Sequence, residues 1–513
     1  MNEFQRKILG AMAGNAIEFY DFSLFGALAD VIGDLFFPST DKTFQLLESL
    51  TVFGAAFVCR PLGGMLIGKL GDVYGRKKAL EISILIMLIP TFLMGCLPTY
   101  NDINGASTVL VIIIRLVQGV AAGGEFSSSL VYAVESTNGK DCAFWSAFVN
   151  AGANVGSLAG VGIVALIRNT LSRQELLSWG WRIPFLLTPI FGILGLWLRY
   201  SLKENEDSMN ISKSPDRRVF VELFFNHWRE MAMLVFLLTC WGPIFYVCFV
   251  WIPVYLADII SSSHIVDPWT LNFCMLVLHT ILMPVFGIGV DSLGRHLNNK
   301  MLAYKYSLRI AAISFFGLAF PAFFCLSSHS LALVVLGNTL IVAPSALFGA
   351  AMAPYMIHQF PVNLRLTGLG FSFNIAQAIF VSSATIICTL FAGVDRTAPA
   401  YYIVIMAVIS LAALTVGVQI VERHRVKYPL SIYQTSSTTG ISIGSMNTNS
   451  YASIKRDSSD EDLTPNPLLV GELTKRVTLS NDSSGVSTNA HRSTASTGSG
   501  SGSAEFNPMH FSV

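Results

Sequence analysis

Apolar runs separated by short polar or glycine-rich stretches recur from near the start of the chain to residue 421. A membrane-crossing helix needs about 20 mostly apolar residues. On that measure twelve spans are predicted, near 9–37, 46–70, 79–98, 107–134, 141–168, 184–201, 230–258, 268–290, 300–326, 330–357, 365–392 and 397–421. In lipid a backbone must satisfy its polar groups within the segment, so each span reads as a helix. The pattern predicts an all-α membrane protein. A connection at 202–229 divides the spans six and six, giving an N-terminal half over 1–201 and a C-terminal half over 230–427. Beyond it the periodicity stops. "TSSTTGISIGSMNTNS" and "SNDSSGVSTNAHRSTASTGSGSGS" have the composition of unfolded chain, so 428–513 is predicted to be a disordered cytoplasmic tail.

Composition agrees with this pattern. Of 513 residues, 13% are charged and 52% hydrophobic, against about 25% charged in soluble domains. The deficit runs along most of the chain, which excludes a soluble protein with a single anchor. A net charge of +1 gives no electrostatic basis for nucleic-acid binding. Arg6 and Lys7 precede a long helix with acids inside it, not a short apolar core with a cleavage site, so no cleavable signal is expected. The eight cysteines form no CxxC pair and read as packing residues, with no metal or disulfide role.

Lys and Arg then orient the spans. Arg6, Lys7, Arg76, Lys77, Lys78 and Lys140, then Arg199, Lys203, Lys213, Arg217, Arg218 and Arg229 of the central loop, then Arg295, Lys300, Arg423, Arg425 and Lys427 fall on one side if every span crosses. The other side is poorer, with scattered Lys42, Arg173 and Arg396 and no Lys or Arg in 259–267. The richer side is cytoplasmic, which puts both ends of the chain there.

Charge inside the spans is the candidate chemistry. Glu18 and Asp21 lie in "GNAIEFYDF", about 60° apart around one helix and about 13–18 Å from its start. Arg60, on a helix running the other way, reaches about 16 Å depth and is a candidate partner of either acid. A charge at a helix centre costs about 2.5–3.5 kcal/mol, so such groups mark pathways or tie helices together. A buried acid beside another acid is also a candidate proton carrier. Arg115 and Gln118 share a face of the fourth span, and an arginine fork suits a carboxylate. Glu125, ten residues on, reads equally as a proton site or an interhelical tie. Asn374 and Gln377 share a face of the eleventh span and could hydrogen-bond a solute or tie helices. Gly152, Gly156 and Gly160 form a stripe suited to a packing seam.

The two halves carry a repeat. "GKLGDVYGRKKAL" follows the second span and "GIGVDSLGRHL" the eighth, so Asp72-Gly75-Arg76 is echoed by Asp291-Gly294-Arg295. Together with "GNAIEFYDF", "RPLGG", "RLVQGVAAGGE", "WRIPFLL" and "APAYY", in this order, the chain resembles the major facilitator superfamily and within it the metabolite:H+ symporters. The resemblance covers residues 8–425. Two positions depart from it: Phe19 stands where a Trp is usual, and His358 where a Glu is usual.

The resemblance implies the major facilitator fold and import of a small polar solute with protons, by alternating access between two halves. The solute would be an organic acid or a zwitterion such as proline or betaine. It further implies residence in a bacterial inner membrane, a monomeric unit, no cofactor and no metal. Glu18, Asp21 and Glu125 become proton-coupling candidates. Arg60, Arg115, Gln118, Asn374 and Gln377 become solute-binding candidates. Asp72, Arg76, Asp291 and Arg295 would form a cytoplasmic gate. The alternative is a transporter-derived nutrient sensor signalling through the tail. An enzyme is not indicated: there is no P-loop and no HExxH, and "GEFSSSL" is not a GxSxG elbow.

Overall fold

The computed structural model describes residues 3–37, 42–200, 219–260 and 267–427. The predicted 428–513 tail lies outside the described residues, as does 202–218 of the central connection. Every regular element described is helical. Chain order gives α1 (Glu3–Ala27), α2 (Ala29–Phe36), α3 (Lys42–Tyr74) and α4 (Arg76–Cys96). Next come α5 (Gly105–Ser136), α6 (Cys142–Thr170), α7 (Arg173–Arg199) and α8 (Val219–Asn226). The remainder are α9 (Trp228–Ala257), α10 (Pro268–His296), α11 (Lys300–Leu326), α12 (Leu331–Ile357), α13 (Arg365–Ala392) and α14 (Pro399–His424). Ten of these are long and apolar enough to cross a membrane.

Three elements differ from the sequence pattern in informative ways. The first apolar run is two helices, broken at Leu28. The sixth begins at Arg173, not near 184. Ser172 and Glu175 exchange hydrogen bonds there in a capping box, which starts the helix within a polar stretch that hydropathy alone discards. The seventh, α9, is irregular. A tight 3₁₀ turn at Leu238–Cys240 precedes Gly242-Pro243, and wide π turns occupy Val247–Trp251 and Tyr255–Ile259. Pro243 and Pro253 cannot donate to the helix ladder, so the backbone there adopts other spacings.

Helices approach closely where side chains vanish. A Cβ on Gly123 of α5 would lie 2.0 Å from the carbonyl oxygen of Arg60 in α3. The predicted glycine stripe of α6 lies against Met12, Ala16 and Ser23 of α1. These seams bring α3, α5 and α6 around α1, which places the acids of α1 inside a ring of helices. All eight cysteines are free thiols.

Candidate functional site

Three carboxylate–guanidinium pairs step along α1. The nearest to its start sits at Gly14. Glu125 of α5 and Arg199 of α7 meet there, and both are fully buried. Ser83 of α4 also donates to Glu125. Arg199 donates further to the Gly10 carbonyl at 3.0 Å and to that of Leu80. A Cβ on residue 14 would fall 1.7 Å from Glu125 Oε1, so only glycine fits. The charge pattern places Arg199 among the basic residues of the central loop. That placement is corrected: the helix continues through it, and the guanidinium turns inward to carbonyls and Glu125. The apolar run "GILGLWLRY" leading into it was the available signal.

The second pair is Glu18 with Arg60, one of the two partners that depth matching allowed. The Arg60 guanidinium lies 4.6 and 5.0 Å from the ring centroids of Phe22 and Phe57, which are themselves 5.4 Å apart and so meet it from one side. Tyr246 of α9 meets Phe57 edge-on at 5.6 Å and is itself half-buried. The Arg60–Glu18 contact uses one Nη2–H and one oxygen. Glu18 Oε2 and Arg60 Nε are buried without a hydrogen-bond partner among the described residues.

The third pair is Asp21 with Arg115, at 3.5 Å. Gln118 donates 2.8 Å bonds to Asp21 Oδ1 and to Thr91 Oγ1 of α4. Arg115 rests on the face of Phe25, 3.6 Å from its centroid. Its Nε and Nη2, and Gln118 Oε1, have no partner among the described residues. From Gly14 to Asp21 the three pairs span about 10 Å along the helix axis. Each buried charge thus has an opposite charge, which relieves most of the insertion cost.

Asn374 and Gln377, the solute-binding candidates after residue 219, are uncharged amides. Asn374 donates to the carbonyls of Gly123 (2.5 Å) and Gly370 (2.6 Å), so it ties α13 to α5. Its Oδ1 and Gln377 Oε1 are unpartnered among the described residues. Asn154 of α6 lies 2.9 Å from Nδ1 of His279 in α10. His279 packs against Phe245 and Phe249. Asn154 carried no signal in the sequence, because a single Asn in a glycine-rich apolar run fits any packing role. His358, in place of a usual Glu, is exposed just past the end of α12.

At the α1-start end, the two repeat motifs do the same thing. Asp72 accepts from the backbone N–H of Leu366 (3.1 Å) and Thr367 (2.7 Å), the first turn of α13. Asp291 accepts from the N–H of Ala143 (3.1 Å) and Phe144 (2.8 Å), the first turn of α6. Each aspartate caps a helix from the opposite part of the chain, satisfying orphan donors at the positive end of that helix. Arg76 holds Asp72, reaches the Val362 carbonyl at 2.8 Å and joins Glu135, which Arg365 also grips at 2.7 Å. The second copy is lighter: exposed Arg295 meets Asp141 at 2.7 Å. Gly75 has φ 102°, a conformation that side chains avoid, and it permits the turn that aims Arg76 inward.

Comparison with known proteins matches this arrangement. The family described as the Major Facilitator Superfamily matches residues 11–356. The proline/betaine transporter of Salmonella typhimurium is 30% identical over 422 residues, covering 80% of this chain and 82% of its own. The alpha-ketoglutarate permease of Escherichia coli K12 is 28% identical, covering 79% and 91%. The shikimate transporter of the same strain is 29% identical, covering 77% and 90%. Among solved structures, the proton:xylose symporter XylE bound to 6-bromo-6-deoxy-D-glucose superposes with a TM-score of 0.65 at 14% identity, covering 80% of this chain and 94% of that one.

Proposed function

This chain belongs to the Major Facilitator Superfamily, an integral membrane transporter family, and from that premise we propose a proton-coupled symporter that imports a small carboxylate-bearing solute by alternating access. The observation that carries the reading is the pair of buried arginines, Arg60 and Arg115, facing acids of α1 in a membrane fold. Proline, betaine, α-ketoglutarate and shikimate, named for the relatives, share a carboxylate. The fork of an arginine is the side chain best matched to that group.

In this reading twelve spans form two halves, 1–201 and 230–427, joined by the 202–229 connection. Both chain ends and the 428–513 tail face the cytoplasm of a bacterial cell, at the inner membrane. The contacts made by Asp72 and Arg76 and by Asp291 and Arg295 act as the cytoplasmic gate, which is shut when they are made. Glu18, Asp21 and Glu125 supply the proton-coupling acids, and Gln118, Asn374 and Gln377 the neutral contacts to solute. A single chain supplies every group in the three pairs, so the monomer is the working unit.

The test is tracer uptake into proteoliposomes. Proline, glycine betaine, shikimate and α-ketoglutarate are offered with and without an inward proton gradient. Accumulation of at least one only with the gradient is expected. Equilibration without accumulation for all four would remove the symport reading.

A further inference from the structure

The helices after residue 219 hold two buried N–H donors that nothing fills. His279 of α10 is 1% exposed. Asn154 Nδ2 lies 2.9 Å from its Nδ1 and 3.9 Å from Met283 Sδ. A thioether sulfur has no proton to give, so the amide nitrogen, not the oxygen, points at both atoms. Nδ1 of His279 therefore accepts, and the proton of the neutral ring sits on Nε2. That N–H is buried with no acceptor among the described residues. Trp241 of α9, 4% exposed, repeats the pattern. Its ring stacks on Phe126 at 5.4 Å and on Phe245 at 6.1 Å, and Phe245 lies 5.7 Å from His279. Those stacks use the face of the indole. Its Nε1–H, in the ring plane, has no acceptor among the described residues, and tryptophan can only donate.

Two acceptors stand beside these donors. Gln377 Oε1 and Asn374 Oδ1 are also buried without a partner there. A Cβ on Gly242, the residue after Trp241, would collide with Gln377 Oε1. Asn374 follows Phe373, whose ring lies 5.7 Å from that of Trp241. Its amide nitrogen is committed to the Gly123 and Gly370 carbonyls, which leaves the oxygen as the open atom. Empty buried donors and acceptors are costly, so this neighbourhood is one that a polar ligand completes.

Resting on the carboxylate-symport reading, we propose that the solute is a hydroxylated carboxylic acid, and that Trp241, His279, Gln377 and Asn374 read its hydroxyl groups. A hydroxyl is the neutral group that both accepts from an N–H and donates to an amide oxygen. The trimethylammonium of glycine betaine does neither, and it brings positive charge against two N–H dipoles. The ammonium of proline only donates. The second carboxylate of α-ketoglutarate only accepts, and it sets a further negative charge against the oxygens of Gln377 and Asn374. Arginine on one wall takes the carboxylate, and the opposite wall selects by hydroxyls. His279 and Trp241 are thus specificity-determining residues.

Calorimetry on the purified full chain in detergent tests this. Shikimate and quinate are compared with glycine betaine, proline, α-ketoglutarate and cyclohex-1-ene-1-carboxylate, which is shikimate stripped of its hydroxyls. A hydroxy acid should bind most tightly, and shikimate at least about 100-fold more tightly than its stripped form. Trp241→Phe keeps a ring in the stack and removes the N–H. It should weaken shikimate about 5- to 100-fold and leave cyclohex-1-ene-1-carboxylate unchanged. His279→Phe should do the same, while His279→Gln, whose amide can present an N–H in the place of Nε2, should recover part of the loss. The wild-type ranking does not depend on any variant folding. Glycine betaine, proline or α-ketoglutarate binding as tightly as both hydroxy acids overturns the inference and leaves the carboxylate reading standing. So does equal weakening of shikimate and its stripped form in Trp241→Phe and His279→Phe, the result of a merely structural role. Failure of every one of these solutes to bind would instead overturn the carboxylate reading itself, and this inference with it.

Discussion

Arg199 shows how one side chain can hold several helices. It contacts Glu125 on α5 and carbonyls on α1 and α4, from its own place on α7, with no exposure to solvent. Removing one partner of a buried pair leaves an uncompensated charge and costs about 3–5 kcal/mol, whereas removing both costs far less. Arg199→Gln should therefore lower the thermal unfolding midpoint in detergent sharply, and Arg199→Gln with Glu125→Gln should recover part of the loss. A double variant no more stable than the single would show that the carbonyl contacts, not the pair, hold the helices. The sequence made Glu18, Asp21, Arg60, Arg115 and Glu125 visible, because a charge within an apolar run is conspicuous. It did not reveal Arg199, which stands where a run ends, nor Thr91 and Ser83, whose hydroxyls are common in spans and become informative only beside Asp21 and Glu125.

At the scale of elements, the long uniform helices α10, α11 and α12 were legible to within a few residues, since hydropathy and helix coincide there. The α9 region was not. Its two prolines mark irregularity without saying which turn the backbone adopts. The repeat motif was legible as a repeat, but its action was not. Both aspartates turn out to cap helices that lie far away in sequence, which no local pattern encodes. That capping predicts a gate held by charge and helix dipole. Asp72→Asn removes a full charge from the first turn of α13 and from Arg76, a loss of about 1–2 kcal/mol. The closed population at that end should fall by about 5- to 30-fold relative to the open one. Spin labels on Lys78 and Asn363 should report it as a longer distance distribution than in the otherwise unchanged chain. An unchanged distribution would mean that the remaining Arg76 and Arg365 contacts suffice to hold the end shut.

On the scale of the whole molecule, the arrangement divides by chemistry. Helices before residue 201 carry the buried ion pairs, and helices after 219 meet them with aromatic rings, amides and one histidine. Tyr246 beside Phe57, His279 beside Asn154 and Asn374 on Gly123 join the two sides at the depth of those pairs. A polar solute held between them would touch a cationic wall and a neutral one, and movement of one wall past the other would carry it across. In the proposed symport this movement transfers a proton with each solute. The most direct measurement follows external pH in a weakly buffered suspension of sealed proteoliposomes while proline, glycine betaine, shikimate or α-ketoglutarate is added. Alkalinisation of the outside medium, proportional to solute entry and abolished by a protonophore, is the predicted result. Entry of solute with the outside pH unmoved would contradict it.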